Sequence, residues 1–367
     1  MTSVRAMTVL PGRPELAGVT DVGDPDPTEG PVVVATHLVG LCGTDQEIIR
    51  YGVGSPVPGA DVLILGHEVV GEVVSAPAGS GFEPGALVAG VVRRPDPVPC
   101  PACARGEWDY CRNGGYVEHG IRGAAGFGRE RWRSEAGFLV PVPDRLGDLG
   151  VLVEPMSVVC KALEVARHVS GRAYHETSRL LVTGAGPVGL LAAALGVQAG
   201  YRVTVLDRMA VGLKPDLTRA LGAEYIHDLE SIGGAESADV LTASRSPLFD
   251  VVLECSGAPE VTARASTTLQ QGGAMVLIGI CAVPGVPSPS SPTLGAITNA
   301  LVRSNGAAVG TVNAGMRHYL QAVEALGRCD LDWLVRLLTT RLPLASWTEA
   351  LTRPAADDVK TVIDFRA

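Results

Sequence analysis

The sequence predicts an α/β protein in which a compact β-rich part precedes a doubly wound parallel sheet. Three observations predict it. Before about residue 150 the chain shows short β-branched runs broken by Gly and Pro, the pattern of a strongly bent β domain. From about residue 170 buried strands alternate with helical stretches, as in a parallel sheet covered on both faces. The turn Gly184-Ala-Gly186-Pro187-Val188-Gly189 then falls between a strand and a helix, where a parallel sheet needs a tight crossing.

Taken in order, the runs Pro31–Thr36, Val69–Val74 and Ala86–Val92 are the strands of the first part. Residues 93 to 135 are polar, rich in Gly and Arg and poor in periodicity, so they are expected to form a long loop excursion, of the kind that is functional or held by a staple. Glu154-Pro155 opens a helix from Met156 to Val169, where a carboxylate suits the dipole. Leu180–Thr183 is the first strand of the second part, and Val188 to Gly200 is a helix that glycine ends. Arg202–Leu206 is the next strand and stops at Asp207. Asp250–Cys255 and Ala274–Gly279 continue the series. Residues 283 to 295, rich in Pro and Ser, read as a surface loop or subunit contact. The tail from about 315 adds a helix and a last apolar strand, Lys360–Phe365.

At 367 residues the chain has room for two cores. Its 46% hydrophobic and 19% charged content belongs to a folded protein. A net charge of −9 argues against a nucleic-acid or anionic-membrane partner. The N-terminus has no apolar segment of signal-peptide length, and the run Val188–Val197 is too short to span a bilayer. A cytoplasmic location is therefore expected. Lysine occurs only at 161, 214 and 360 among 30 basic residues, which reads as compositional background. The eight cysteines are not spaced like a secreted disulfide framework. Three cluster at 100, 103 and 111, a pattern that suits metal ligands in a cytosolic chain.

The glycine turn is answered by Asp207, 18 residues past Gly189. Glycines let the backbone approach a pyrophosphate, and the helix N-terminus supplies donors and a favourable dipole. Asp207 can accept from ribose hydroxyls and repel a 2′-phosphate, which favours NAD, whereas Arg208 leaves NADP open. The expected cofactor-binding residues are Gly184, Gly186, Pro187, Val188, Gly189, Asp207 and Arg208.

A second constellation precedes it. Cys42 offers a thiolate and His67 an imidazole, and Glu68 and Glu154 offer carboxylates as ligands or as outer partners that tune charge. Thr44, two residues after Cys42, could place its hydroxyl beside a metal-bound substrate and pass a proton outward. A Lewis-acid zinc and a hydride carrier on one chain point to alcohol or polyol oxidation. Each residue alone has a plainer reading: a small core cysteine, a surface His-Glu pair, a helix start. Together they are hard to hold as coincidence.

The stretches Gly40-Leu-Cys-Gly-Thr-Asp45, Gly66-His-Glu-Val-Val-Gly71, Val153-Glu-Pro155 and Gly184–Gly189 resemble the zinc-dependent medium-chain alcohol/polyol dehydrogenases over nearly the whole chain. The resemblance implies a GroES-like catalytic domain at 1–168, completed by 314–367, around a Rossmann domain at 169–313. It also implies a homodimer or homotetramer. Val91–Pro95, Glu118–Gly123 and Gly310–Asn313 look most like the microbial glucose (aldose) 1-dehydrogenases. In that branch the positions matching Glu118 and Asn313 bind sugar hydroxyls, and the position matching Glu154 helps hold substrate or zinc.

Two departures stand out. The structural zinc of the family uses four cysteines. Cys100, Cys103 and Cys111 match the last three, but Pro97 stands at the first, leaving Asp96, another side chain or water as fourth partner. Val158 and Ser304-Asn305 replace expected sugar-binding chemistry. A tailoring dehydrogenase of specialised metabolism is therefore an alternative, and a non-catalytic NAD(P)-binding protein is a third reading that the complete site disfavours.

Overall fold

The computed structural model describes residues 3–172, 174, 176–232, 248–280, 294–351 and 357–367. The chain forms two compact units. One comprises Met1–Ser157 with Asn313–Ala367, and the other Val158–Val312. The division falls inside helix α2 (Val153–Ser170), at Ser157/Val158 where 168/169 was expected, and again at Val312/Asn313 where 313/314 was expected. The Pro/Ser-rich stretch expected to form a surface loop lies almost wholly outside the described residues.

The first unit is built on Val32–Gly40, where β-branched residues alternate inward and outward before a fully buried end. It pairs antiparallel with Glu68–Ser75 on one side, and Gly40 stands opposite Glu68. On its other side runs Thr361–Asp364 from the far end of the chain, with Val362 opposite Gly40. Three chain segments remote in sequence therefore converge at one sheet end. The hydrophobic core beneath includes Trp132, Trp347, Phe127 and the inward valines. Helix α1 (Gly43–Tyr51) starts directly after this strand, with Cys42 as its N-cap.

Residues 93 to 135 are not loop throughout. Arg93–Arg94, Val117–His119 and Gly123–Ala124 make a small three-stranded sheet, and Arg131–Ser134 joins the main sheet. Elements of two to four residues are too short for periodicity to register. Their order comes from long-range backbone bonds such as Gly126 N to Ile64 O and Phe127 N to Gly66 O.

The second unit is a six-stranded parallel sheet in the order Glu224–Ile226, Arg202–Leu206, Arg179–Thr183, Phe249–Glu254, Leu269–Leu277, Ala307–Gly310. The strand order reverses between Arg179–Thr183 and Phe249–Glu254, which places a crevice at their C-terminal ends. Helix α3 (Pro187–Gln198) leaves that point with Gly189–Gly196 buried on every side, as its uniformly apolar sequence requires. A separate core around Leu181, Phe249, Val252 and Met275 lies under the sheet. No helix among the described residues is long and apolar enough to cross a membrane.

Candidate active site

The pairing of Gly40 with Glu68 carries Cys42, just past one strand, to His67, just before the other. Cys42 Sγ lies 2.9 Å from His67 Nε2. Asp45 secures both. Its carboxylate accepts from Cys42 N at 2.9 Å and lies 3.5 Å from His67 Nδ1, so the ring presents Nε2 toward the sulfur. Thr44 N donates to Cys42 Sγ at 3.2 Å in the first turn of α1. Ligand atoms of Cys42, Asp45 and His67 fall within 4.8 Å of one another. A thiolate and an imidazole backed by a buried carboxylate form a donor set that fits zinc.

Burial alone would push the His67 pKa down, but the Cys42 thiolate and Asp45 carboxylate outweigh it and raise the value well above normal.

Glu68 and Glu154 occupy a second layer. The Glu68 carboxylate forms a buried ion pair with Lys360, whose Nζ also donates to Leu41 O at 2.9 Å. Both side chains are fully enclosed. A Cβ on Gly40 would overlap the Glu68 carboxylate and the Lys360 side chain, so only glycine leaves room for that pair. Glu154 sits in the first turn of α2, and its carboxyl is raised to about 7, first by desolvation and then by the charge of Glu68. The structure thus gathers Cys42 and His67 directly, with Glu68 committed to Lys360 and Glu154 facing the same cluster of charges.

Two participants carried no assigned role in the sequence reading. Asp45 closes the Gly40–Asp45 motif, and an acidic N3 residue after an N-cap was its signal. Lys360 had a fainter one, its rarity: two of the three lysines, 161 and 360, are almost completely buried.

The three-cysteine lobe is also formed. The sulfurs of Cys100, Cys103 and Cys111 lie within 4.8 Å of one another, and the described cysteines are free thiols. The N–H groups of Arg112 and Cys103 bring the Cys100 thiol down to about 6, while burial pushes Cys103 up. Three soft donors fit zinc. The Asp96 carboxylate is not among the gathered ligand atoms. One of its oxygens accepts from Val98 N at 2.8 Å and the other from Gly115 N at 3.2 Å, which ties the two ends of the lobe together.

Glu118 and Asn313 meet: Asn313 Nδ2 donates to Glu118 Oε1 at 3.0 Å.

In the second unit a Cβ on Gly189 would lie 1.8 Å from Gly184 O, so glycine is obligatory where α3 crosses the turn. Gly186 faces open space and caps α3 without a side chain, leaving backbone donors at the helix start. Pro187 and Val188 open that first turn. Asp207 holds the turn by accepting from Ala185 N at 2.7 Å and from Met209 N at 3.2 Å, and Arg208 beside it is exposed. Glu254, another residue without an assigned role, is buried at the neighbouring strand end. Its Oε1 accepts from Thr183 Oγ1 at 3.1 Å, Ser256 N at 2.9 Å and Gly257 N at 3.2 Å, fixing the loop that faces Gly184.

A β-rich unit with a Cys–His donor pair and a doubly wound unit with a glycine turn define the alcohol dehydrogenase architecture. Comparison with known proteins agrees. The family described as alcohol dehydrogenase GroES-like domain matches residues 28–144, and that described as glucose dehydrogenase C-terminus matches residues 147–365. The chain is 38% identical to a glucose 1-dehydrogenase of Caldivirga maquilingensis over 99% of each. It is 37% identical to that of Thermoproteus tenax, over 99% of this chain and 100% of the relative. The Haloferax mediterranei glucose dehydrogenase, solved in complex with NADP, Zn and gluconolactone, superposes with a TM-score of 0.84 at 31% identity, over 98% of this chain and 99% of that one. The chain belongs to the glucose dehydrogenase family of zinc-dependent medium-chain dehydrogenases.

Proposed function

We propose that this chain is a zinc-dependent, NAD(P)-linked dehydrogenase that oxidises the anomeric hydroxyl of an aldose, with D-glucose the first candidate. The observation that carries this reading is the Cys42–His67 donor pair in a chain related over 99% of its length to glucose 1-dehydrogenases. Cys42 and His67 would hold the zinc, with the Glu68 and Glu154 carboxylates adjusting the charge around it. When bound, zinc supplies the Lewis acidity that makes a substrate hydroxyl acidic, and the nicotinamide is the hydride acceptor.

The chain's own residues do the rest. Asp45 orients His67 and keeps its Nε2 on the sulfur side. Thr44 carries the hydroxyl proton outward. Glu118 and Asn313 orient the sugar through hydroxyl hydrogen bonds. Gly184, Gly186, Pro187, Val188 and Gly189 admit the pyrophosphate to the N-terminus of α3, and Asp207 accepts from the adenosine ribose. Asp207 favours NAD and Arg208 suits a 2′-phosphate, so the kcat/KM ratio of the two coenzymes, with and without Asp207→Ala, decides between them. Cys100, Cys103 and Cys111 would hold a second, structural zinc. The family relation also supports a homodimer or homotetramer in the cytoplasm, which sedimentation and fractionation would test.

The deciding experiment follows reduced coenzyme formation across aldoses, cyclitols and simple alcohols, with zinc measured on the same sample. Turnover of D-glucose or another aldose upholds the reading. Inactivity on every sugar with zinc bound overturns it in favour of a tailoring dehydrogenase, and absence of zinc with tight coenzyme binding favours the non-catalytic reading.

A further inference from the structure

We propose that Arg93 is the positioning residue of the substrate site: it fixes one oxygen of Glu118 so that the other is aimed, alone, at a sugar hydroxyl. The inference rests on the reading of Glu118 as a substrate-binding carboxylate. Arg93 and Glu118 are paired residues on antiparallel strands of the small sheet. Arg93 Nε and Nη2 approach the same Glu118 oxygen, Oε1, at 3.1 and 2.9 Å. Asn313 Nδ2 adds a third donor to that atom at 3.0 Å. Oε1 is therefore saturated, while Oε2 has no hydrogen-bond partner among the described residues. A carboxylate held this way offers a hydroxyl one acceptor in one direction.

Both partners are themselves held. The third Arg93 nitrogen, Nη1, donates to Asp109 O at 3.1 Å, in the turn just before Cys111. The guanidinium lies 3.9 Å over the Tyr116 ring, and the side chain is only 5% exposed. Asn313 has a left-handed backbone, φ 59°, and its Oδ1 accepts from Ala314 N at 2.8 Å, which turns its amide nitrogen toward Glu118. A planar fork is needed to reach the carboxylate and the Asp109 carbonyl from opposite edges. A lysine ammonium at the end of one stem cannot span both. Arg93 touches no zinc-ligating side chain in any described contact, and its link to the cysteine lobe is the Asp109 carbonyl alone, so measuring zinc content beside the sugar KM separates its influence on substrate geometry from any effect on that lobe.

The test compares Arg93→Lys, Arg93→Met and Glu118→Gln, alone and combined, in the full-length zinc-loaded enzyme with D-glucose, or the aldose that ranks first in the panel. The expected result is a KM for the sugar raised roughly tenfold or more in both Arg93 variants, with a smaller change in kcat. Zinc content and the Kd for reduced coenzyme should stay at wild-type values, which also establishes that the variants are folded. Arg93→Met combined with Glu118→Gln should be no worse than Glu118→Gln alone. A wild-type sugar KM in Arg93→Lys, or multiplying effects in the double variant, overturns the proposal. If Glu118→Gln itself leaves the sugar KM unchanged, the substrate role of Glu118 falls and the proposal with it. If Glu118→Gln raises KM while the Arg93 variants do not, only the role of Arg93 falls.

Discussion

Lys360 illustrates how much one buried charge matters at the residue scale. Its ammonium neutralises Glu68 where neither side chain reaches water, and its other contact is a backbone carbonyl. Lys360→Met would leave a carboxylate enclosed beside a second one, Glu154. The expected destabilisation in urea is about 3 kcal/mol, and Lys360→Met combined with Glu68→Gln should recover most of it, because the cost lies in the orphaned charge. Glu154 gives a pH dependence of definite sign. Its folded pKa of about 7 lies above the ordinary carboxylate value of 4.5, so the folded chain holds a proton there that the unfolded chain releases. That contribution to stability is present below the unfolded value and is lost as pH rises through about 7. In metal-free protein, Glu154→Gln should match wild type near pH 4 and exceed it by roughly 3 kcal/mol near pH 8, as urea midpoints will show. His67 acts in the same direction. Its raised pKa means that a metal must displace a proton held by Cys42 and Asp45, so zinc affinity should fall as pH is lowered.

The element scale is set by two helix starts. Helix α1 presents the Cys42 sulfur as its N-cap acceptor, and α3 presents bare backbone donors after Gly186. The α3 glycines have separable jobs. Gly189→Ala puts a methyl group into Gly184 O and should lower the melting temperature even without coenzyme. Gly186→Ala meets nothing within 4 Å and should leave that melting temperature unchanged, while weakening coenzyme binding because the methyl group faces the space kept for it. Calorimetry and coenzyme fluorescence read the two effects apart. The residue pattern made α3 and the strand after it legible: Arg202–Leu206 begins and ends where the apolar run does. The small sheet around Glu118 was not legible, since strands of two or three residues have no period to read and owe their place to partners far along the chain.

Across the whole molecule, backbone bonds and a returning C-terminal strand hold the two donor clusters in place. Asp96 bonds the two ends of the cysteine lobe through backbone N–H groups, leaving three gathered thiols to hold an ion. Loaded protein should therefore contain about two zinc per chain, falling to about one in Cys103→Ser, with a lower melting temperature in that variant. Elemental analysis beside calorimetry checks this, and Asp96→Asn should leave the count at two because its carboxylate stands outside the sulfur cluster. The last strand, Thr361–Asp364, completes the sheet that begins at Val32, so the C-terminus contributes Lys360 to a site whose donors lie within the first 70 residues.

By itself the sequence determined the two textures of the chain, the glycine turn with Asp207, the three-cysteine lobe and the Cys42–His67 pair. Each is a local pattern whose spacing carries its chemistry. Tertiary structure alone decided that Glu68 is neutralised by Lys360, that Asp45 backs His67 and that Arg93 grips Glu118 through one oxygen. Those outcomes depend on strand register between segments tens to hundreds of residues apart. A one-residue shift in register would turn the side chains of Glu68, Arg93 and Glu118 to the opposite face of their sheets.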